Sequence, residues 1–400
     1  MTETMPPIRP IRITSGGQVP LADIVGRSDT ISAWWEDLDR TSLRLNEPRR
    51  LGKTTALHKM ASAPRPGWLA AHTTMEGRTT TVDLVNHALR DLQRRAGNPA
   101  VFGEVQGRLR RARIKQIKVE VKGVGIQVDA DSTPETSFDS LVRVLHETAR
   151  VLTERHKRLL LIWDEFPDAI RAIAEKEGRG AAADMMAAFR GLREAESTGS
   201  IRWILCGSIG FHHVLRELRS GFATIDDLGV TTLGPLTADW SRWLAACLLR
   251  ALDPRDTGAA APWLADASDG IPYILELMVK TIAQGAAQPA DARAAGRLLV
   301  SAATGPLTEG LPLLERVSRF YGDTAPLANT ILDRLAEAPR TPAELVRGLR
   351  TTGMNADVID RVIELLTYDH YIRRDGSSDL LTWTYPSLMT IWRARRGRLT

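Results

Sequence analysis

Residues 43–61 read LRLNEPRRLGKTTALHKMA, which combines a short apolar alternation, a charged loop and the beginning of a helix. The pattern predicts a strand over Leu43–Asn46 and a helix over Thr55–Ala61. A loop that leads into a helix N-terminus directs several backbone N–H groups at one point, where the helix dipole adds positive potential. The stretch therefore predicts a binding site for a phosphate-bearing ligand.

The end of this loop carries the last residues of the GxxxxGK[ST] pattern, which binds nucleotide phosphates. Gly52 allows the backbone to approach, Lys53 would reach the β- and γ-phosphate oxygens, and the Thr54 hydroxyl would bind Mg²⁺. The first glycine of the pattern is Glu47 here, and we expect its side chain and charge to weaken binding or slow turnover. The residues predicted to contact the nucleotide through this loop are Pro48, Arg49, Arg50, Leu51, Gly52, Lys53, Thr54 and Thr55.

A second motif, LLLIWDE at residues 159–165, is an apolar run that ends in two carboxylates. A buried parallel strand delivers its last residues to the crevice where open α/β sheets bind ligands. There Asp164 would hold Mg²⁺ through water, and Glu165 would act as general base toward the attacking water. Together with Lys53 and Thr54, these carboxylates predict a catalytic site for ATP and Mg²⁺.

Short apolar runs alternate with helical stretches from about residue 20 to residue 237, which predicts an α/β fold with a parallel sheet flanked by helices. The remaining strands are predicted at Trp68–His72, Arg158–Trp163, Ile201–Cys206 and Val230–Leu233.

The strand Ile201–Cys206 is expected to lie between the other two motif-bearing strands, and it is followed by Gly207 and Ser208. Ser208 would then orient the attacking water or contact the γ-phosphate; the alternative is that it caps the next helix. His212 and His213 follow, and isolated histidines of this kind are more often packing or surface residues than ligands. We assign them no role.

An insertion at Ile117–Val128 alternates apolar and polar residues across Lys122-Gly123, a plausible two-residue hairpin turn. The register would pair Val121 with Val124, Val119 with Ile126, and Ile117 with Val128. The basic segment 108–122 that leads into it is either a solvated helix end or an element that contacts DNA or an acidic partner. Its basic residues before the turn are Arg108, Arg110, Arg111, Arg113, Lys115 and Lys118.

Composition narrows the class of protein. The formal net charge of +5 permits contact with nucleic acid without requiring it. No apolar run approaches the roughly 18 residues of a membrane span, and the N-terminus lacks the apolar core of a signal peptide. The two cysteines, Cys206 and Cys247, form no CxxC motif, which argues against a zinc site or a disulfide scaffold. We expect a cytoplasmic protein with no membrane contact.

The C-terminal half is predicted to be helical from Pro235 to about Arg316. From Pro326 onward, three short helices, a strand pair around Tyr371–Tyr385 and a closing helix give the order of a winged helix. The predicted domains are a disordered lead at 1–20, an α/β ATPase domain at 21–236 with the basic hairpin insertion at 108–130, a helical lid at 237–318, and a winged-helix domain with a basic tail at 319–400.

The third helix of this module, Asn355–Tyr368, is the one that would enter the major groove of DNA. It carries three acidic residues against Arg361 alone, so it would repel phosphates unless its acidic side faces elsewhere. The wing and the tail at 393–398 are better placed for contact with the DNA backbone, although basic tails are more often simply solvated. We expect the module to pack on the ATPase core or a partner. The basic residues concerned are Arg373, Arg374, Arg393, Arg395, Arg396 and Arg398.

Six segments occur in an order that resembles the archaeal-type ATPase family, a branch of P-loop ATPases close to the AAA+ origin-recognition ATPases and the STAND signalling ATPases. The resemblance covers about residues 20–396 and implies an AAA+-like fold with a helical lid and a C-terminal winged helix. The segments are Ile24–Arg27, Pro48–Thr54, Leu159–Glu165, Gly207-Ser208, Pro235–Thr237 and Gly270–Tyr273.

The resemblance also implies further nucleotide contacts. Val25, Gly26 and Arg27 would lie beside the adenine, and the segment Gly270, Ile271, Pro272 would start a lid helix over the nucleotide. On the residues alone, the first segment could be a turn before the next helix. The second could be an ordinary helix start with proline in its first turn.

Related ATPases often carry an arginine between the sensor strand and the Pro-Leu-Thr segment. The stretch 221–228 has none here, and the lid helix Ile271–Ile282 offers only Lys280. Loss of such an arginine can slow phosphoryl transfer by about 10³–10⁵, so we expect slow hydrolysis. Arg216 and Arg219 are candidate substitutes.

The leading hypothesis is a Mg²⁺-dependent, slowly hydrolysing ATPase that acts as a molecular switch toward an unidentified protein or DNA partner. Two alternatives stay open: an ATP-dependent DNA-binding or assembly protein of the origin-recognition or transposition type, and a nucleotide-binding scaffold without turnover. A nucleotide-dependent oligomer is compatible with each of them.

Overall fold

The computed structural model describes residues 3–14, 17–46, 50–95, 99–112, 117–119, 126–129, 132–195, 198–207, 210–218, 224–305, 313–350 and 353–397. The chain divides into two compact units. The sheet unit comprises Thr30–Asn46 and Ala56–Thr232. The loop–lid unit comprises Met1–Asp29, Glu47–Thr55 and Leu233–Thr400.

The strands fall into one parallel sheet and two small antiparallel pairs. They are β1 (Leu43–Asn46), β2 (Trp68–Thr74), β3 (Ile117–Val119), β4 (Ile126–Val128), β5 (Arg158–Asp164), β6 (Ile201–Gly207), β7 (Gly229–Thr231), β8 (Ile372–Arg374) and β9 (Leu381–Trp383).

The α-helices account for most of the described residues outside the strands, and they make up most of the C-terminal half. They are α1 (Ser28–Leu38), α2 (Lys53–Ser62), α3 (Thr81–Arg95), α4 (Pro99–Ala112), α5 (Pro134–Glu154), α6 (Phe166–Glu177), α7 (Arg179–Glu194), α8 (Phe211–Glu217), α9 (Ala238–Leu252), α10 (Ala261–Ala267), α11 (Pro272–Ala283), α12 (Ala292–Thr304), α13 (Leu313–Tyr321), α14 (Ala325–Glu337), α15 (Pro342–Arg350), α16 (Ala356–Tyr368) and α17 (Pro386–Arg395).

The main sheet has the order β2-β5-β6-β1-β7, with parallel pairing throughout. All five predicted strands are present, and β6 lies between β1 and β5 as predicted. Asn46 pairs with Gly207, and Trp163 pairs with Leu205. The carboxyl ends of β1, β5 and β6 therefore meet at one edge of the sheet, where open α/β folds bind their ligands.

Aromatic packing fixes the helices that follow β5. The rings of Trp163 and Phe189 stack with centroids 4.9 Å apart, and Phe166 meets Phe189 edge-on at 5.5 Å. Trp203 of β6 packs on the same Phe189 ring at 5.8 Å. Each such pair contributes about 0.5–1.5 kcal/mol beyond the burial of its area. The cluster holds α6 and α7 on the sheet, and so fixes where α6 begins.

The predicted hairpin register is confirmed at Val119↔Ile126 and Ile117↔Val128; its turn and the pair Val121 with Val124 lie outside the described residues. The hairpin packs on α3 rather than standing free. The Asn86 side chain accepts a hydrogen bond from the Val128 N–H at 2.8 Å and donates to its carbonyl at 3.2 Å. These bonds satisfy both backbone groups of Val128, which a free edge would leave to solvent.

In the loop–lid unit, the first part after Leu233 carries the helices α9 to α13. Beyond it, α14, α15, α16, the β8–β9 pair and α17 follow in the order predicted for a winged helix. Trp392 of α17 donates to the Asp333 carboxylate of α14 at 2.8 Å, which ties the last helix of this module to its first.

The N-terminal residues differ from the predicted disordered lead. Ile11 is buried, and its N–H donates to the Cys247 carbonyl of α9 at 3.2 Å. The Trp243 indole donates to the Pro6 carbonyl at 2.6 Å. The segment packs on α9 because that helix offers an acceptor to Ile11 and a donor to Pro6. Among the described residues, no helix combines the length and the apolar character needed to cross a membrane.

Candidate phosphate-binding site

The loop before α2 has an unusual backbone. Arg50 has φ 76° and Gly52 has φ 92°, and Leu51 between them is fully buried. Non-glycine residues seldom adopt positive φ, at a cost of about 1–2 kcal/mol. Alternation of this kind turns successive N–H groups toward one point and forms a concave anion site. Glu47 and the predicted contacts Pro48 and Arg49 lie outside the described residues.

The helix begins at Lys53, two residues earlier than predicted, so Lys53, Thr54 and Thr55 form its first turn. Lys53 is only 7% exposed, and lysine is almost never buried to this degree without an anion or acceptor nearby. Thr54 is exposed and Thr55 is half-buried. Because the first N–H groups of a helix have no partner within the helix, this turn supplies donors for a phosphate.

A buried arginine sets the shape of the loop. The Arg27 guanidinium, on a side chain only 5% exposed, donates to the Leu51 carbonyl at 2.8 Å. It also donates to the Gly234 carbonyl at 3.0 Å, with longer bonds at 3.4 Å to the carbonyls on either side. Arg27 thereby ties the phosphate loop to the segment before α9. The adenine contact implied by the family resemblance stays a prediction.

Glycine is required at position 26. Gly26 has φ 65°, and a Cβ there would lie 2.6 Å from Cγ of Trp240. Val25 beside it is buried. The segment Val25–Arg27 is therefore a tight turn packed on the first turns of α9, and it presents Arg27 to the phosphate loop.

The predicted lid segment is held just as closely. Gly270 has φ 68°, and a Cβ there would lie 2.3 Å from the Leu236 carbonyl oxygen; its own carbonyl accepts from the Leu236 N–H at 2.9 Å. Ile271 is buried, and α11 begins at Pro272 as the resemblance implies. Tyr273 is the next residue, and the Arg50 guanidinium lies over its ring, 4.4 Å from the ring centroid. The phosphate loop and the lid helix thus contact each other through these two side chains.

Asp164 ends β5 and is 2% exposed. Its Oδ1 accepts a hydrogen bond from the Glu165 N–H at 3.0 Å and one from the Cys206 thiol at 3.0 Å. Its Oδ2 lies 3.7 Å from Nε2 of His72, a nearly buried imidazole on β2. The two donors fix the orientation of the carboxylate. Cys206 and His72 were not predicted as site residues. The position of Cys206 near the end of β6, the strand beside β5, could have indicated its contact with Asp164.

The oxygen atoms present suit Mg²⁺, which prefers hard ligands and is usually held by one or two carboxylates plus substrate phosphates. In the sheet unit Asp164 offers a carboxylate, and in the loop–lid unit Thr54 is exposed and offers a hydroxyl. Within the described part of the chain, no three His, Cys, Asp or Glu side chains could hold a metal ion together.

Glu165 adopts φ 55° and ψ 30° at the position that precedes α6. A non-glycine residue in this left-handed region costs on the order of 1–3 kcal/mol and is often found at functional sites. The side chain is half-buried, so the carboxylate keeps access to solvent. Ser208 and Arg219 lie outside the described residues, whereas Arg216 is exposed on α8 and both His212 and His213 are buried.

Several basic residues considered for DNA contact are engaged with the protein. Arg396 pairs with Asp333 at 2.5 Å, Arg393 donates to the Ala336 carbonyl, and Arg395 donates to the Ala303 carbonyl at 3.4 Å. In the basic segment, Arg108 bridges two glutamates at 2.7 and 2.5 Å. Arg398 lies outside the described residues.

No family model and no curated protein matches the chain. Among solved structures, a Walker-type ATPase of Pyrococcus abyssi superimposes with TM-score 0.61 at 17% identity, over 93% of this chain and 97% of that one. The ORC2 protein of Aeropyrum pernix, in ADPNP and ADP complexes, gives TM-score 0.43 at 13% identity over 97% and 98% of the two chains. The ORC1 protein of the same organism, in complex with DNA, gives 0.36 at 12% over 93% and 94%.

At such identities a likeness shows the fold alone, and the two lower scores carry no argument. The first likeness confirms the predicted α/β fold, with a parallel five-stranded sheet and a predominantly helical remainder.

Proposed function

We propose that this chain is a Mg²⁺-dependent ATPase of low turnover that works as a nucleotide-controlled switch toward a protein partner. The observation that carries the proposal is the phosphate loop itself. Its backbone turns through positive φ at Arg50 and Gly52 and enters α2 at Lys53. That shape places backbone N–H groups, an ammonium and the Thr54 hydroxyl on one turn, which is the donor set that a triphosphate requires.

The residues divide the work of hydrolysis. Mg²⁺, when bound, would neutralise charge on the β- and γ-phosphate oxygens, held by Thr54 and by Asp164 through water. Lys53 binds the same oxygens. Glu165 polarises the attacking water, and its backbone position fixes the carboxylate directly after β5. Ser208, at the end of the neighbouring strand, is assigned to the orientation of that water.

Slow turnover follows from what the sequence lacks. Neither 224–228 nor α11 carries an arginine, and Lys280 is the one basic residue of α11. Glu47 adds negative charge at the entrance of the loop. A site that receives no arginine from these two segments, where related ATPases place one to stabilise the transition-state charge, hydrolyses ATP more slowly by several orders of magnitude.

A route from the nucleotide to the C-terminal module supports the switch. The Asp269 carboxylate accepts a hydrogen bond from the Ser387 N–H at 2.6 Å, and Ser387 lies in the first turn of α17. Asp269 directly precedes Gly270 of the lid segment. Since helix N-termini leave their N–H groups without helical partners, Asp269 supplies the cap that α17 lacks. A shift of the lid segment would therefore act directly on α17.

The DNA-binding alternative receives less support from the structure. Arg393, Arg395 and Arg396 each contact an acceptor within the loop–lid unit, and Arg108 is held by two glutamates. Backbone contact with DNA requires arginines that can exchange their partners for phosphates. A protein partner is accordingly the better proposal.

Hydrolysis tests the enzymatic part of the proposal. We expect slow, Mg²⁺-dependent phosphate release from ATP by the wild type, and a rate about 10²–10⁴-fold lower for Glu165→Gln. ATP affinity should stay unchanged in that variant, because the general base does not bind the ground state. Glu175→Gln, on the exposed side of the same helix, is the matched control and should behave as wild type. Equal rates for wild type and Glu165→Gln would favour the scaffold without turnover.

A further inference from the structure

Arg50 is the arginine that lies closest in sequence to Gly52 and Lys53. Its backbone, at φ 76°, belongs to the concave part of the phosphate loop. The Leu51 carbonyl next to it is fixed by Arg27 at 2.8 Å. The Arg50 side chain therefore leaves the loop from a fixed point beside the place where phosphates bind.

The far end of that side chain rests on the lid. The guanidinium lies 4.4 Å from the centroid of the Tyr273 ring, and Tyr273 is 9% exposed in the first turn of α11. The residue just before this turn is anchored, because the Gly270 carbonyl accepts a hydrogen bond from the Leu236 N–H at 2.9 Å. A change in the position of the Arg50 guanidinium would therefore remove a contact from the first turn of α11, at Tyr273.

The relative strengths of two interactions suggest what would move it. A guanidinium over an aromatic ring is stabilised by about 0.5–2 kcal/mol. A hydrogen bond to an ionised group contributes about 1.5–3 kcal/mol, and arginine commonly binds phosphate through two such bonds. If a terminal phosphate lies within reach of Arg50, the guanidinium would therefore bind the phosphate in preference to the Tyr273 ring. ADP lacks that phosphate.

We propose that Arg50 determines the preference for ATP over ADP, and that Tyr273 passes its state to the lid. The guanidinium rests on Tyr273 in the presence of ADP and transfers to the γ-phosphate in the presence of ATP, which releases the start of α11. Arg50 thus takes the ground-state role of the arginine that α11 does not supply. This inference rests on the proposed function, since it requires that Mg-nucleotide binds at the phosphate loop.

Two measurements on full-length protein carrying Glu165→Gln, which blocks hydrolysis, separate the two roles. The first is the affinity for ATP and for ADP, obtained by displacement of a fluorescent nucleotide in Mg²⁺ buffer. The second is amide hydrogen exchange over 272–283 with each nucleotide. We expect Arg50→Ala to reduce the ATP-to-ADP affinity ratio by about tenfold, or about 1.4 kcal/mol, and to abolish the difference in exchange.

Two substitutions of Tyr273 test whether its aromatic face passes the signal to α11. Tyr273→Phe keeps the aromatic face, so the affinity ratio and the exchange difference should both persist. Tyr273→Leu removes the face but not the arginine, so ATP no longer has to displace the ring. The ratio should therefore rise rather than fall, while the exchange difference is lost. Lys280→Ala, on the same helix, should change neither quantity. Melting curves of each variant identify any loss of folding, and Tyr273→Phe stays informative because it keeps the packing volume.

The outcomes are distinguishable. If Arg50→Ala weakens ATP and ADP equally, or leaves the ratio unchanged, Arg50 is only part of the general phosphate site and the inference is wrong. If Tyr273→Leu keeps the exchange difference, the signal does not pass through the ring. If the starting protein binds neither nucleotide in the presence of Mg²⁺, the proposed function itself fails.

Discussion

Arg27 shows how a single side chain can give a loop its shape. A buried guanidinium is costly to desolvate, and its hydrogen bonds to neutral carbonyls offset that cost only if several form together. Arg27 reaches four carbonyl oxygens, from Leu51 and from 233–235. The family resemblance assigned this residue to the adenine, whereas its contacts in the structure support a positioning role for the phosphate loop.

Replacement of Arg27 by lysine tests that role. Lysine keeps the charge but lacks the planar fork that spans two segments, so we expect ATP affinity to fall about tenfold and the melting temperature to fall as well. Isothermal titration with Mg-ATP measures the first effect. Arg12→Lys, at an exposed position of the same unit, is the control. Unchanged ATP affinity in Arg27→Lys would contradict the positioning role.

Cys206 offers a second test at this scale. Its thiol donates to Oδ1 of Asp164, and neighbours that orient a metal-binding group typically affect metal affinity by about 10–100-fold. We expect Cys206→Ala to raise the Mg²⁺ concentration needed for half-maximal ATP binding by about tenfold, and Cys206→Ser, which keeps a donor, to raise it less. Cys247→Ala, a buried cysteine in α9, controls for the loss of volume. Equal Mg²⁺ requirements in all three variants would show that the thiol does not orient Asp164.

At the scale of elements, the apolar pattern was sufficient for the strands. β1 has the predicted bounds, β5 extends one residue further, and the described part of the β3–β4 register is confirmed, because alternation specifies register wherever one face is buried. The tertiary partners of the site were not predictable in the same way. The bond from Cys206 to Asp164, the position of His72 and the stacking of Arg50 on Tyr273 join residues far apart in sequence, which local patterns do not encode. Likewise, the N-terminal residues were predicted to be a disordered lead, whereas they pack on α9. That contact joins segments far apart in sequence, so the lead alone did not indicate it.

The bond between Asp269 and α17 predicts a dependence on pH. Burial raises the pKa of the Asp269 carboxyl, and the hydrogen bonds from Ser387 oppose this only in part. A carboxyl with a raised pKa binds its proton more tightly in the folded state, so its contribution to stability is present at low pH and is lost as the pH rises through the folded pKa. Asparagine keeps an acceptor oxygen and does not titrate. The melting temperature of the wild type minus that of Asp269→Asn should therefore increase as the pH falls from about 7 toward about 4.

Asp266→Asn provides the comparison for this pH series, since Asp266 is an exposed aspartate on α10. Its melting temperature should differ from that of the wild type by a small and nearly constant amount. A difference for Asp269→Asn that is equally flat with pH would mean that the burial of the carboxyl has no energetic consequence.

At the scale of the whole molecule, the question is whether the net charge of +5 serves DNA or only solubility. The arginines of the C-terminal helix are engaged within their own unit, and Asp333, which Arg396 contacts, is only 5% exposed. Removal of a partner from a buried carboxylate leaves its desolvation uncompensated, at a cost of about 1–3 kcal/mol.

We therefore expect Arg396→Ala to lower the melting temperature without changing affinity for duplex DNA, which should be weak and non-specific in the wild type. Fluorescence anisotropy with a labelled duplex at several salt concentrations measures the affinity. Arg293→Ala, at an exposed position of α12, is the control for charge. Tight duplex binding that Arg396→Ala abolishes at unchanged stability would favour the DNA-binding alternative.

The central claim is that the loop before α2 binds a triphosphate with Mg²⁺. Titration of ATP into the purified protein with Mg²⁺ and with excess EDTA, for the wild type and for Lys53→Ala, tests it most directly. We expect binding that requires Mg²⁺ and that Lys53→Ala reduces by at least about 100-fold, whereas Lys59→Ala, later in the same helix, leaves it intact. Absence of Mg²⁺-dependent binding by the wild type, or unchanged binding by Lys53→Ala, would contradict the account.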